Sequence, residues 1–152
     1  MARPFVGEFE HAIDDKGRLV LPSIFRSAFD DGAVLATRPD GCIGLMTPEK
    51  FDQEASELRR DAPAGRVGRM KVRVFYANAV PVTPDKAGRV VVPAKLRDYA
   101  GLGGDCLVIG VGDLVEIWDP ATFNTDSAEG LDAISVDATT THPVPTEDTD
   151  DR

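Results

Sequence analysis

The stretch "DDKGRLVLP" (residues 14–22) decides the fold, because "DKAGRVVVP" (residues 85–93) repeats it in the second half of the chain. The two copies align at a spacing of 71 residues, with Asp14 on Asp85, Gly17 on Gly88 and Arg18 on Arg89. One added residue extends the match, so that residues 34–51 align with residues 106–123. The chain therefore contains an internal repeat of about 45 residues.

Each half of the chain predicts the same order of elements: strand, strand, short helix, strand, strand. In "EFEHAI" (residues 8–13), Phe9, His11 and Ile13 alternate with outward residues, as in a half-buried strand. "DDKG" then supplies turn residues, and a short helix is predicted to begin at Pro22 or Ser23, because proline suits a first helical turn. The predicted inner stripe of that helix comprises Ile24, Phe25, Ala28 and Phe29. We therefore predict a mainly β fold with short helices, of the α+β class.

Two further helices are predicted between the halves. Thr47 is a suitable cap for a helix that begins at Pro48. Residues 66–77 predict a second helix, although four of them would also suit a strand: Val72, Val74, Phe75 and Tyr76.

Charge is distributed unevenly along the chain, whose formal net charge is −9. Residues 125–152 hold eight acidic residues and one basic residue, whereas residues 1–124 hold 18 acidic and 16 basic residues. The acidic stretch is rich in Thr, Asp and Pro, and its few apolar residues predict a disordered tail. The nearly neutral body can still present a basic face, because salt screens charges beyond roughly 8–10 Å.

Several classes of protein are disfavoured by the sequence. No run of 18 apolar residues predicts a membrane span, and the first residues lack the apolar stretch of a signal peptide, so we expect a cytoplasmic protein. Cys42 and Cys106 are far apart and lack a histidine cluster, so they predict core residues rather than a metal site. His11 and His142 belong to no catalytic arrangement, and we expect neither enzymatic activity nor a cofactor.

The repeated phrase permits two interpretations. Glycine after polar residues can close a hairpin, and an aspartate can accept hydrogen bonds from nearby backbone amides, so the motif could serve folding alone. A hairpin does not, however, require Arg18 and Arg89 at equivalent positions. A guanidinium fork matches phosphate or the major-groove edge of guanine, and two such forks on one face would suit DNA.

Three stretches resemble the MraZ family of bacterial transcriptional regulators, which carry two SpoVT/AbrB-type swapped-hairpin repeats in one chain. They are "GEFEHAIDDKGRLVLPSIFR" (7–26), "DKAGRVVVPAKLRDYAGL" (85–102) and "VIGVGDLVEIWD" (108–119). The resemblance covers roughly residues 5–124. It implies a pseudo-two-fold swapped-hairpin barrel, with repeats at 7–53 and 79–124, a helical connector at 54–78 and the acidic tail at 125–152.

The same resemblance implies sequence-specific binding to repeated boxes of double-stranded DNA at the promoter of the division and cell-wall gene cluster. It also implies a ring-shaped homo-oligomer at the nucleoid, with neither a membrane nor a small-molecule substrate as partner. The residues that match the DNA-contacting turns are Lys16, Arg18, Lys86 and Arg89. The residues expected to orient those turns are Asp14, Gly17, Asp85 and Gly88. Lys16 aligns with Ala87, and Lys86 with Asp15, so the second turn departs from the first.

Two alternatives stay open at this point. A second basic candidate is the run formed by Arg59, Arg60, Arg66, Arg69, Lys71 and Arg73, which suits a solvated helix face or subunit packing. The chain could also be an oligomeric scaffold that binds proteins. Exposure of Arg18 and Arg89 on one face would favour DNA, whereas their burial in ion pairs at a subunit contact would favour the scaffold.

Overall fold

The structure is a computed structural model that describes residues 3–141, with the backbone alone described for 137–141. Its strands are β1 (Glu8–Ala12), β2 (Arg18–Val20), β3 (Ala33–Thr37), β4 (Ile43–Met46), β5 (Val80–Val82), β6 (Arg89–Val91), β7 (Asp105–Gly110) and β8 (Val115–Trp118). Its helices are α1 (Ser23–Arg26), α2 (Pro48–Asp61), α3 (Arg66–Asn78), α4 (Ala94–Ala100) and α5 (Pro120–Thr141). The predicted class, mainly β with short helices, is confirmed.

The strands exchange between the two halves of the chain. Six antiparallel strands form a sheet in the order β1-β7-β8-β4-β3-β5, and β2 pairs with β6 in a separate two-stranded ribbon. The first strand of each half pairs with the third strand of the other half, while β4 and β8 meet in the middle. The order is therefore the same from either end, as a pseudo-two-fold swapped hairpin requires. Within residues 3–141, no strand pairing joins β1 to β5 and closes the sheet.

The core lies beneath the ribbon and contains the inward residues of both halves. Leu19 and Val90 are the central residues of β2 and β6, and they are 0% and 2% exposed. Phe25 and Phe29 are also buried, and Phe5 packs against both of their rings. These contacts fix the ribbon to the body of the domain.

The predicted inner stripe of the first helix was wrong at two of its four positions. Ile24 is 65% exposed and Ala28 is also exposed, whereas Phe25 and Phe29 face the core. The helical segment comprises one α-helical turn followed by a 3₁₀ turn at Ser27–Phe29. A segment this short buries a narrower stripe than a regular amphipathic helix does.

The two predicted connecting helices are confirmed. The Thr47 hydroxyl accepts a hydrogen bond from the backbone N–H of Lys50 at 3.2 Å, and Pro48 begins α2. Residues 66–78 form α3 rather than a strand, and its Phe75 ring stacks on Phe51 at a centroid distance of 5.4 Å. The repeat boundaries at residues 53, 78 and 124 stay predictions.

The prediction of disorder after residue 124 was wrong for residues 125–141, which continue α5. The composition indicates how little apolar area this segment can bury, but not its local preference for a helix. A signal was present, because Pro120 aligns with Pro48, the residue that begins α2. The rest of the predicted tail, residues 142–152, lies outside the described residues.

Both cysteines are buried and carry free thiols. Cys106 lies on β7, and burial raises the pKa of its thiol to about 11. Cys42 directly precedes β4 rather than lying on a strand, and burial likewise raises the pKa of its thiol. In the part of the chain that the structure describes, no helix combines the length and apolar character needed to cross a membrane.

Candidate nucleic-acid interface

The ribbon formed by β2 and β6 brings the two motif arginines onto one face. Its register places Arg18 opposite Val91, Leu19 opposite Val90, and Val20 opposite Arg89. Because side chains alternate along a strand, buried Leu19 and Val90 point to the core and the other four point away from it. We call this outward surface the ribbon face and define it by Arg18, Val20, Arg89 and Val91. The two arginines are diagonal neighbours on adjacent strands, a relationship in which residues typically lie about 7–8 Å apart.

The first turn is organised by the carboxylate of Asp14. Its Oδ1 accepts hydrogen bonds from the backbone N–H groups of Lys16 and Arg18, both at 2.9 Å. Its Oδ2 accepts a hydrogen bond from Nε of Arg18 at 2.6 Å, which makes an ion pair. One carboxylate thus fixes the backbone of the turn and the orientation of the guanidinium.

The second turn has the same geometry. Oδ1 of Asp85 accepts hydrogen bonds from the backbone N–H groups of Ala87 and Arg89 at 2.9 Å, and Oδ2 accepts one from Nε of Arg89 at 2.7 Å. Each aspartate therefore pairs with the arginine of its own turn.

The ion pairs leave the outer ends of both guanidinium groups available. The Arg18 and Arg89 side chains are 35% and 39% exposed. Each uses Nε for its aspartate, and within residues 3–141 their terminal nitrogens make no hydrogen bond. Each arginine therefore presents a fork of N–H donors away from the core, held at its base by a carboxylate.

Hydrogen bonds keep both aspartates ionised. The backbone N–H of Arg18 is the main cause that lowers the pKa of Asp14 below its ordinary value of 3.8, and the Arg18 side chain adds to it. The backbone N–H of Arg89 lowers the pKa of Asp85 in the same way. Near neutral pH each turn therefore contains a carboxylate beside an arginine, which partly offsets the positive charge of the ribbon face.

The tip of each turn presents one lysine. Lys16 and Lys86 are both exposed, but Lys16 directly precedes the turn glycine, whereas Lys86 lies one position earlier in its own turn. The turn glycines, Gly17 and Gly88, have φ angles of +82° and +79°, which other residues rarely adopt. The structure thus brings all eight predicted site residues into two equivalent turns. Their contact with DNA stays a prediction.

Each turn is also supported by an arginine from the other half of the chain. Gly17 accepts a hydrogen bond at its carbonyl from the backbone N–H of Val92 at 2.8 Å, and Nη1 of Arg97 donates to the Val92 carbonyl at 2.7 Å. The Arg97 guanidinium occupies the place where a Cβ on Gly17 would lie. Glycine is therefore needed at this position for space as well as for backbone conformation.

The reciprocal contact supports the second turn. The backbone N–H of Leu21 donates to the Gly88 carbonyl at 2.8 Å, and Nε of Arg26 donates to the Leu21 carbonyl at 3.0 Å. A Cβ on Gly88 would lie 2.6 Å from Cζ of Arg26. No role was predicted for Arg26 and Arg97 from the sequence. Their only signal was that they occupy equivalent positions in the repeat.

The second basic candidate lies on other elements. Its residues are exposed and belong to the end of α2 and to α3. Arg60 forms an ion pair with Asp61 at 3.0 Å, and Nη1 of Arg59 donates to the Tyr76 hydroxyl at 3.0 Å. These local contacts favour the interpretation of this run as a solvated helix face.

One family model matches the chain twice, over residues 5–71 and again over residues 75–142. Its description is "MraZ protein, putative antitoxin-like". The gap between the matches falls within α3, so each match contains one complete hairpin turn and the strands around it. The chain therefore resembles two copies of one family unit.

Curated relatives resemble the chain over most of its length, and three of them are named "Transcriptional regulator MraZ". The protein from Bifidobacterium longum is 42% identical over 124 residues, which cover 82% of this chain and 83% of the relative. The protein from Micrococcus luteus is 41% identical over 131 residues, covering 86% and 92%. The protein from Clavibacter michiganensis subsp. michiganensis is 40% identical over 120 residues, covering 79% and 84%.

Proposed function

The chain belongs to the MraZ family, and from that premise we propose that it is a transcriptional regulator that binds double-stranded DNA through the ribbon face. The observation that carries the proposal is the placement of Arg18 and Arg89 on one outward surface, two residues apart in the ladder. The curated relatives, named as transcriptional regulators, support the coarser part of this proposal.

The geometry of the ribbon suits the major groove of DNA. A two-stranded β-ribbon fits that groove, and arginine forks can bind phosphate oxygens or the O6 and N7 atoms of guanine. The aspartates restrain the base of each fork before DNA arrives, so less side-chain freedom is lost on binding. Recognition of DNA sequence then depends on which base edges the forks meet.

The same exposure argues against the protein-binding scaffold. Arg18 and Arg89 are about one third exposed, and their ion-pair partners are the aspartates of their own turns. Open forks on one surface favour a polyanion such as DNA.

One copy of the chain offers few basic contacts, and we propose that a ring of copies compensates for this. A ring that engages several adjacent DNA boxes makes the later contacts intramolecular, which raises avidity by roughly 10² to 10⁴. A head-to-tail contact between copies produces such a ring when its rotation closes. We place its action in the cytoplasm at the nucleoid, on repeated boxes in the promoter of the division and cell-wall gene cluster.

A mobility-shift experiment with the DNA upstream of the chain's own gene tests the proposal. Full-length protein should shift this duplex, and Arg18→Ala or Arg89→Ala should each weaken binding by about 10- to 100-fold. The double variant should abolish the specific shift. Size-exclusion chromatography with light scattering should detect an oligomer, and the same assembly for all three variants.

Arg60→Ala is the matched control, because Arg60 is exposed and ion-paired but lies outside the ribbon face. It should bind the duplex as the unaltered chain does. Normal binding by both Arg18→Ala and Arg89→Ala would show that the ribbon face is not the DNA-binding surface.

A further inference from the structure

Two exposed valines share the ribbon face with the arginines. Val20 is 37% exposed and Val91 is 51% exposed, although the residues that precede them, Leu19 and Val90, are buried. Val20 lies directly opposite Arg89, and Val91 lies directly opposite Arg18. Apolar side chains thus occupy half of the surface that we assign to DNA.

The arrangement recurs with the internal repeat. Val20 and Val91 align at the same 71-residue spacing as the arginines, so each strand presents an arginine and, two residues later, a valine. Residues two apart on a strand point to the same side. A purely structural explanation is that β-branched residues favour strands, but that preference does not distinguish the outward positions from the inward ones.

The chemistry of the major groove offers a partner for these side chains. The C5-methyl group of thymine is the apolar group on the major-groove edges of the base pairs, whereas the other groups there are hydrogen-bond donors and acceptors. Arginine forks can meet phosphates or guanines, but they gain nothing from a methyl group. A ribbon that carries both arginine and valine can therefore contact both the hydrogen-bonding groups and the methyl groups of the bases.

We propose that Val20 and Val91 are specificity-determining residues that contact thymine methyl groups in the bound DNA. The proposal rests on the DNA-binding function assigned above and adds to it a preference for thymine beside the positions that the arginines contact. Positive charge next to the valines favours duplex DNA over an apolar protein partner, because the arginine forks would require anionic partners when covered.

The test compares two forms of one duplex, the DNA upstream of the chain's own gene. One form is made with dTTP and the other with dUTP and uracil-containing primers, which removes every thymine methyl group and leaves the base-pairing groups unchanged. The unaltered chain should bind the uracil duplex about fourfold more weakly for each methyl group that a valine covers, or about 15-fold for two. In the double variant Val20→Ala, Val91→Ala this difference should fall to a small fraction of its size, because alanine lacks the two Cγ methyl groups of valine.

The experiment includes a control valine outside the ribbon face and replacement variants in case the double variant does not fold. Val111→Ala removes a valine that is 42% exposed outside the ribbon face, and it should keep the full difference between the two duplexes. If circular dichroism shows that the double variant is unfolded, the single variants Val20→Ala and Val91→Ala replace it, and each should show about half of the difference on a logarithmic scale.

Three results would overturn the inference. If the unaltered chain binds both duplexes equally, the valines do not contact thymine methyl groups. The proposed DNA binding itself is then still supported. If the valine variants keep the full difference, the methyl groups act through DNA shape instead. If the unaltered chain binds neither duplex, the DNA-binding function itself fails.

Discussion

Arg97 packs against Gly17 across the two halves of the chain, with its guanidinium in the space that a side chain on Gly17 would need. Arg26 packs against Gly88 in the reciprocal way. Each of the two turns proposed to contact DNA therefore depends on a helix of the other half. This relationship makes the two turns parts of one unit.

Gly17→Ala should destabilise the fold. The alanine would adopt a φ near +82°, and its Cβ would lie 2.8 Å from the Val92 carbonyl oxygen and displace Arg97. Strain of this kind typically costs about 1–3 kcal/mol, and the displacement of Arg97 adds to it. Chemical denaturation followed by circular dichroism measures the free energy of unfolding.

The matched control for that change is Gly103→Ala. Nothing lies within 4 Å of a Cβ on Gly103, and its φ is outside the positive region. This variant should unfold at nearly the same denaturant concentration as the unaltered chain. Equal stability of the Gly17 and Gly103 variants would contradict the close approach of Arg97.

Arg97→Ala should loosen the first turn rather than the second. It removes the hydrogen bond that Arg97 donates to the Val92 carbonyl. The backbone N–H of the same Val92 donates to the Gly17 carbonyl, so the first turn loses its support. Amide hydrogen exchange should become faster at Lys16 and Arg18 and stay unchanged at Arg89. This readout separates a local effect on one turn from a general decrease in stability.

Arg26→Ala is the mirror-image control and should loosen the second turn. Removal of its hydrogen bond to the Leu21 carbonyl should speed exchange at Ala87 and Arg89, and leave Lys16 unchanged. Faster exchange in the same turn for both variants would disprove the reciprocal arrangement.

The turns should weaken in acid. Hydrogen bonds lower the pKa of Asp14 and Asp85 in the folded chain below the ordinary 3.8, so their favourable contribution is present above that value. It should be lost as the pH falls through the lowered pKa values. The carboxyl ¹³C chemical shifts of both residues should titrate with midpoints below 3.8, and a midpoint at or above 3.8 would contradict the hydrogen-bond network.

Asp14→Ala should lower both the melting temperature of the protein and its affinity for DNA. Two backbone N–H groups and the Arg18 guanidinium lose their acceptor, so the fork is no longer held in one orientation. We expect this effect to outweigh the relief of repulsion between the carboxylate and phosphate. Unchanged melting temperature together with unchanged DNA affinity would remove the orienting role of Asp14.

Lys16→Ala should reduce the salt dependence of DNA binding. An exposed lysine that neutralises one phosphate releases about one counterion. The negative slope of the logarithm of the DNA-binding constant against the logarithm of salt concentration should therefore become shallower by about 1 in this variant. Lys86→Ala tests the displaced lysine of the second turn in the same titration. Arg60→Ala serves as the charge-matched control and should leave the slope unchanged.

The internal repeat allowed much of this structure to be predicted from the sequence. Asp14, Gly17 and Arg18 recur at Asp85, Gly88 and Arg89. Their chemistry predicted a turn organised by an aspartate and an exposed arginine fork. These features could be predicted because they depend on residues within five positions of one another. Short-range hydrogen bonds of this kind follow from local sequence.

Features that depend on distant residues were less accessible. Arg26 and Arg97 lie on short helices, where an arginine can meet many partners, and nothing local indicates a carbonyl and a glycine turn from the other half. The exposure of Ile24 depends on how one helical turn meets the core. The helix over residues 125–141 was not predicted, because a composition rich in Thr and Asp does not indicate a helix; its local sign is the recurrence of Pro48 at Pro120.

The exchanged strands also determine when each strand can pair during synthesis of the chain. β1 at residues 8–12 finds its hydrogen-bonded neighbour only when residues 105–109 have been made, and β2 waits for residues 89–91. A nascent chain leaving the ribosome with only its first half complete therefore has strands without partners. The two halves must mature together, so a truncated product of early translation arrest would expose those edges.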